Sequence, residues 1–283
     1  MVLNGSIKLV ATDLDGTLLR TDCTISKTDW LSLVKAGEHG IVRVAATGRS
    51  MFKVMKVLPP DSPFDYIVFS SGAGIFDWNR KTLLHSEEFE KPIVDQLCAY
   101  LLSADYNFIV FHPIPNNNLF YFHQGAGTCT EFEHYLSRHP GDYNGLNPKS
   151  YPAEAGQIMA VIPNNDELFE SLKRDIYNSC KGVKVIRATS PMNPEFIWLE
   201  IFPESVSKGH GLKWICDYLN IDSSQTIGIG NDYNDSDMFD FVGFPFLLKN
   251  GVDALKNIYC TVDFSNNEDG VSAVINKLLF TNS

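Results

Sequence analysis

Apolar, β-branched runs alternate with amphipathic segments along most of the chain. Ile7–Ala11, Ile41–Ala46, Tyr66–Ser70 and Thr226–Gly230 read as buried strands. Thr28–His39, Ser50–Leu58, Ser236–Val242 and Val271–Leu279 read as helices. Strand–helix–strand alternation predicts a parallel sheet with helices on both faces. The middle of the chain breaks this rhythm. Phe108–Phe111 and Leu119–Phe122 flank the turn-rich Pro113–Asn118 and read as a hairpin. Thr128–Ser137 and Asp166–Asn178 read as helices, and Gln157–Val161, Val183–Arg187 and Phe196–Ile201 as strands. The expected fold is α/β. A doubly wound parallel-sheet core is formed by residues 1–80 and 202–283, and a second α/β domain, residues 81–201, is inserted after the third core strand.

Composition narrows the function. The 283 residues are enough for two domains and a sizeable core. Against 23 Lys and Arg stand 34 Asp and Glu, a formal charge of −11 with no block of like charges. That is a solvated acidic surface, and it argues against a nucleic-acid partner, which needs clustered basic residues. An enzyme for anionic substrates must then build a local positive site, which a metal ion supplies well. The six cysteines (Cys23, Cys98, Cys129, Cys180, Cys216, Cys260) form no C-x-x-C pair. They read as free thiols, small apolar core residues in a reducing compartment. Met1–Lys8 lacks the basic-then-apolar pattern of a signal peptide, and no stretch approaches the ~18 apolar residues of a membrane span. The expectation is a soluble cytoplasmic protein with no membrane partner. Nothing in the sequence sets its oligomeric state.

Four polar clusters fall where strands end. Asp13-Leu14-Asp15-Gly16-Thr17 follows the first strand, Thr47-Gly48-Arg49 the second and Ser70-Ser71-Gly72 the third. Asn231-Asp232-Tyr233-Asn234-Asp235 follows the strand ending at Gly230. Ligands of open parallel sheets bind beyond the carboxyl ends of strands. Two carboxylates two residues apart project to one side. One can act as a nucleophile that forms an acyl phosphate, and its neighbour as general acid and then base. Gly16 permits the tight turn that brings N–H groups near an anion. A calcium loop is excluded, because glycine is fourth from Asp13 and position twelve is Thr24. Lys208 lies in Ser207-Lys208-Gly209 without a nucleotide-binding glycine loop, and Gly228-Ile229-Gly230 lacks the third glycine of a dinucleotide fingerprint.

These residues resemble the haloacid dehalogenase superfamily, in its Cof-like subgroup with a large α/β cap. The matches are Asp13–Leu19, Ala46-Thr47-Gly48-Arg49, Ser207-Lys208-Gly209 and Gly230–Asp235, with a weaker one at Asn267-Glu268-Asp269-Gly270-Val271. The resemblance implies a Rossmann-like core, an inserted cap that sets substrate specificity, and a magnesium-dependent phosphatase. Its partner would be a small phosphorylated metabolite, sugar phosphates being the leading class. By the same resemblance Asp13 attacks phosphorus, and Asp15 protonates the leaving oxygen and then activates water. Mg²⁺ is implied on Asp13, the Asp15 carbonyl and Asn231. Thr47, Gly48, Lys208 and Asn234 would hold the phosphoryl oxygens. Asp232, Asp235, Arg49 and Ser71 would support them, Asp235 by orienting Lys208 or metal-bound water.

Two positions depart from the family. The last motif begins Gly230-Asn231 where an aspartate is usual, so the ligand becomes an amide or the duty passes to Asp232. The third strand ends Ser71-Gly72-Ala73 where asparagine is usual, and Ser71 still donates and accepts one hydrogen bond. Outside the motifs, His123 and Gln124 are cap candidates with a plain surface reading beside them. His210 reads as helix surface, and Phe120-Tyr121-Phe122 as cap core. Two rival functions stay open: a phosphomutase, and a non-catalytic metabolite-binding protein.

Overall fold

The computed structural model describes residues 7–190 and 192–279, which divide into two compact units: one ending at Ser86 and resuming at Ser207, the other Glu87–Val206.

The first unit begins with β1 (Leu9–Thr12), α1 (Lys27–Glu38), β2 (Val42–Ala46), α2 (Met51–Val57) and β3 (Tyr66–Phe69). Ser26 starts α1 by accepting from Asp29 N at 3.0 Å, which satisfies a helix N–H that has no partner within the helix. A hairpin, β4 (Gly74–Asp77) and β5 (Thr82–Ser86), pairs antiparallel onto β3. The division therefore comes after Ser86, since β5 belongs to this sheet.

The second unit contains β6 (Phe89–Glu90), α3 (Lys91–Ser103), β7 (Phe108–Phe111), β8 (Phe120–His123), α4 (Thr130–Ser137) and β9 (Tyr143–Gly145). It continues with β10 (Glu154–Ala155), β11 (Gln157–Pro163), α5 (Asp166–Ser179), β12 (Val183–Thr189) and β13 (Phe196–Pro203). Its main sheet runs β12-β13-β11-β7-β8-β9, antiparallel except for β8–β9. The expected hairpin is present as β7–β8. Helix α3 was not expected, although Val94, Leu97, Cys98 and Leu101 form a clean helical stripe, all buried. Phe120 lies in this unit's core, as expected.

The chain returns to the first unit with α6 (Lys208–Leu219), β14 (Thr226–Gly230), α7 (Ser236–Phe241), β15 (Phe244–Leu247), α8 (Asp253–Lys256), β16 (Cys260–Thr261) and α9 (Gly270–Leu279). The sheet order is β16-β15-β14-β1-β2-β3-β4-β5, parallel from β16 to β3. β1 and β14 are buried throughout, as strands covered on both faces must be. From β1 the chain moves outward through β2 and β3, and from β14 outward the other way through β15 and β16. The gap between β1 and β14 is thus the topological switch point, where open α/β sheets bind ligands.

Four cysteines are buried, as expected, but Cys23 and Cys260 are exposed, since both fall at a turn or edge rather than in the core. Among the described residues no helix is long and apolar enough to cross a membrane.

Candidate active site

Strand β1 delivers Asp13 to the switch point. The Asp13 N–H donates to the Ile229 carbonyl at 2.9 Å, which carries the β1–β14 ladder one residue past the strand. The chain then turns through Gly16, whose φ of +74° lies in the left-handed region that glycine enters without steric cost. The following loop is tied to the C-terminal motif. Arg20 pairs with Asp269 at 2.6 Å, Asn267 exchanges hydrogen bonds with Thr21, and Asn266 Nδ2 donates to the Leu19 carbonyl at 3.0 Å. The weaker motif thus anchors the loop behind the first one.

Lys208 reaches the same point from the first turn of α6. Ser207 caps that helix, its hydroxyl accepting from His210 N at 3.1 Å. The turn after β3 packs so tightly here that a Cβ on Gly72 would stand 2.1 Å from the Ser207 carbonyl, so only glycine fits. Lys208 Nζ lies 2.8 Å from Asp13 Oδ1, 2.6 Å from Asp235 Oδ1 and 3.2 Å from Asn234 Oδ1. Its three N–H donors meet three acceptors. Lys208, Asp13 and Asp235 are 1%, 4% and 0% exposed. Burial pushes the Asp13 carboxyl up to about 7 against the opposing pull of the Lys208 ammonium. Burial alone would lower Lys208, but Asp13 and Asp235 outweigh it and hold the ammonium protonated.

Asp235 joins the two halves of the site. Its other oxygen, Oδ2, accepts from the backbone N–H of Asn231 at 2.8 Å and of Asp232 at 3.0 Å. That fixes the loop after β14 around Lys208. Asp232 Oδ1 accepts from Tyr233 N at 2.7 Å and caps the short 3₁₀ turn Tyr233–Asp235. The Asn231 side chain points instead at the Asp13 loop. One end of its amide lies 3.3 Å from Asp13 Oδ2, 3.0 Å from the Asp15 carbonyl and 2.9 Å from Thr17 Oγ1.

The remaining predicted residues line the neighbouring strand ends. Thr47 is fully buried, and its hydroxyl accepts from Arg49 N at 3.1 Å. A Cβ on Gly48 would stand 3.5 Å from Ser71 Oγ and 3.8 Å from Asn234 Nδ2, so the Gly48 backbone borders both polar groups. Ser70 and Ser71 adopt φ of +49° and +56°, an uncommon conformation for non-glycine residues and one that asparagine would enter more readily. The Asp15 side chain turns to Arg49, whose Nε and an Nη donate to its two oxygens at 2.7 and 2.6 Å. This bidentate pair raises the guanidinium above its ordinary value. Asp13, Asn231, Asn234, Asp235 and Lys208 therefore form one connected network, joined by the Asp15 backbone but not by its carboxylate. His210 and Gln124 are exposed; His123 is half-buried, 3.9 Å from Asp105.

Sequence reasoning gave no role to Thr17, to the Ser207 cap, or to Asn250, whose Nδ2 donates to the Gly16 carbonyl at 2.8 Å. The first two lie inside motifs already singled out. Asn250 carries no local signal.

A family model described as haloacid dehalogenase-like hydrolase matches residues 10–275. Phosphatase YwpJ of Bacillus subtilis is 27% identical over 293 residues, covering 96% of this chain and 100% of that protein. The 5-amino-6-(5-phospho-D-ribitylamino)uracil phosphatase YwtE of the same organism is 28% identical over 290 residues, 96% and 98%. Among solved structures, a haloacid dehalogenase-like hydrolase from B. subtilis superposes with a TM-score of 0.76 at 23% identity, covering 96% of this chain and 100% of that one.

Proposed function

The chain belongs to the haloacid dehalogenase-like hydrolases, as a phosphoric monoester hydrolase, and on that footing we propose that it cleaves a small phosphorylated metabolite through an aspartyl phosphate on Asp13. The observation that carries this reading is the buried contact of Asp13 Oδ1 with Lys208 Nζ at the switch point of the sheet. It presents a carboxylate where an anion must bind and holds a fixed positive charge beside it.

Asp13 attacks phosphorus in line with the ester oxygen. The P–O ester bond breaks as the new Asp13–phosphorus bond forms, and the leaving oxygen takes a proton from Asp15. Asp15 then removes a proton from water, which attacks phosphorus. The bond to Asp13 breaks and inorganic phosphate leaves. Lys208 offsets the charge on the transferring group, and Asp235 holds Lys208 in place. The backbone at Thr47 and Gly48, with Asn234, contacts the phosphoryl oxygens. Arg49 donates to both Asp15 oxygens, so proton exchange at Asp15 competes with this pairing.

The donor set suits magnesium. One end of the Asn231 amide lies 3.3 Å from Asp13 Oδ2, the oxygen that Lys208 does not take, and 3.0 Å from the Asp15 carbonyl. All three can present the hard oxygen that Mg²⁺ prefers. Among the described residues no group of three or more His, Cys, Asp or Glu could hold a metal; this donor set joins one carboxylate with an amide and a backbone carbonyl. These residues would hold the ion, which when bound supplies charge to offset repulsion between Asp13 and the phosphoryl group.

Substrate choice is assigned to the Glu87–Val206 unit, which carries none of the motifs. Sugar phosphates lead, and the ribityl phosphate named for one relative supports that class. Release of phosphate from p-nitrophenyl phosphate with Mg²⁺, lost in Asp13→Asn, tests the reading. No hydrolysis by the native protein would favour a metabolite-binding role, and transfer of phosphate between two substrate positions would favour a mutase.

A further inference from the structure

The end of the Asn231 side chain faces three oxygens, and its two possible orientations do opposite things there. With nitrogen inward, the amide donates toward Asp13 Oδ2 at 3.3 Å, the Asp15 carbonyl at 3.0 Å and Thr17 Oγ1 at 2.9 Å. With oxygen inward, it accepts from the Thr17 hydroxyl at the same 2.9 Å. With Asp13 ionised, it then faces Asp13 Oδ2 and the Asp15 carbonyl oxygen to oxygen, with no proton between either pair. In the first arrangement the two amide hydrogens are shared among these oxygens, and the second is favourable only with a cation among the oxygens. Amide nitrogen and oxygen are nearly the same size, so the surrounding hydrogen bonds decide the orientation. Thr17 Oγ1 suits either, because a hydroxyl both donates and accepts. It is fully buried, which keeps water from substituting for it.

We infer that Asn231 is a reversible amide switch. Its nitrogen stands in for the cation between Asp13 and Asp15 when no metal is bound, and its oxygen turns inward when magnesium arrives. The inference rests on the reading of this site as magnesium-binding and assigns a positioning role to one of the two residues that depart from the family pattern. An aspartate at 231 has no donor face. It would set a second carboxylate against Asp13 Oδ2 in the metal-free protein, beside a carboxylate already buried at 4% exposure. The amide removes that repulsion from the empty site, at the cost of one negative charge toward the ion.

The test uses the full chain with magnesium alone and no substrate. In chelator, Asn231→Asp is expected to melt several degrees below the native protein. With saturating Mg²⁺ it should gain more in melting temperature, and calorimetry should show binding tightened about tenfold or more, because affinity follows ligand charge. In the native protein labelled at asparagine, the Asn231 side-chain amide should exchange slowly with water in chelator. Its signal should shift, and its exchange quicken, as magnesium saturates. The switch is overturned if the variant matches the native protein in chelator and binds magnesium equally. It is also overturned if the Asn231 amide signal is unchanged at saturation, a result that stands even where Asn231→Asp does not fold. If neither protein binds magnesium, the switch and the metal reading fall together. The nucleophile reading then rests on phosphoryl trapping at Asp13, which is measured separately.

Discussion

Lys208 Nζ donates to Asp13 Oδ1 at 2.8 Å across 195 positions of sequence, and the same ammonium holds Asp235 at 2.6 Å. One buried cation thus lies between two buried carboxylates. Removing it leaves both charges uncompensated, which typically costs about 3–5 kcal/mol. Lys208→Met is expected to lose stability on that scale in chemical unfolding. Adding Asp235→Asn should recover at least ~1 kcal/mol of it, since the two sites are in contact and not additive. Equal losses in the single and double variants would show that the charges do not interact as described.

Arg49 holds both oxygens of Asp15. If this pairing positions the general acid, Arg49→Ala should slow an alkyl phosphate far more than p-nitrophenyl phosphate, whose leaving group needs no proton. A drop in kcat of about 10²-fold for the first is within the range of acid catalysis. Arg49→Lys should restore part of it. The same loss for both substrates would mean that Arg49 acts on binding or folding instead.

Asp232 caps its own turn through Tyr233 N. Asp232→Ala is therefore expected to cost about 1 kcal/mol, as for a lost helix cap, with the magnesium constant unchanged. Loss of magnesium dependence in this variant alone would move the metal ligand from Asn231 to Asp232.

Burial lifts the Asp13 carboxyl from its ordinary 3.8 to about 7, with Lys208 opposing. Between those values the folded, metal-free chain keeps a proton that the unfolded chain releases. The Asp13 contribution is then fully present below the ordinary value and lost as pH rises toward 7. The melting temperature of the metal-free native protein, measured against Asp13→Asn, should fall from about pH 4 to about pH 7 and level off above. A constant difference across that window would contradict the raised value.

Much of the site was legible in the chain because the chemistry sits at strand ends. A buried run followed at once by Asp13-Leu14-Asp15-Gly16 or Asn231–Asp235 marks both the strand and the polar cluster at its tip. The expected strand ending at Gly230 ends there. What the sequence hid is contact between distant residues. Nothing near Asp15 announces that its partner is Arg49 rather than Asp13. Nothing near Asn231 shows that its amide meets a carboxylate and a carbonyl from another strand. The β4–β5 hairpin carries little periodicity, because β4 is only four residues and mostly buried while β5 is five residues with no buried position. Helix α3, by contrast, carries a plain local signal in its buried stripe at 94, 97, 98 and 101.

The central claim is that Asp13 carries the phosphoryl group, and mass analysis of the trapped intermediate tests it most directly. Asp15→Asn removes the base that would activate water, so the variant should accumulate the first product of the reaction. After incubation with p-nitrophenyl phosphate and Mg²⁺ and an acid quench, the peptide containing Asp13 should gain the mass of one phosphoryl group, with fragmentation placing it on Asp13 and borohydride reduction confirming an acyl phosphate. The Asp13→Asn protein should show neither the modification nor turnover. A phosphoryl group on any other residue, or sustained turnover by Asp13→Asn, would contradict the account.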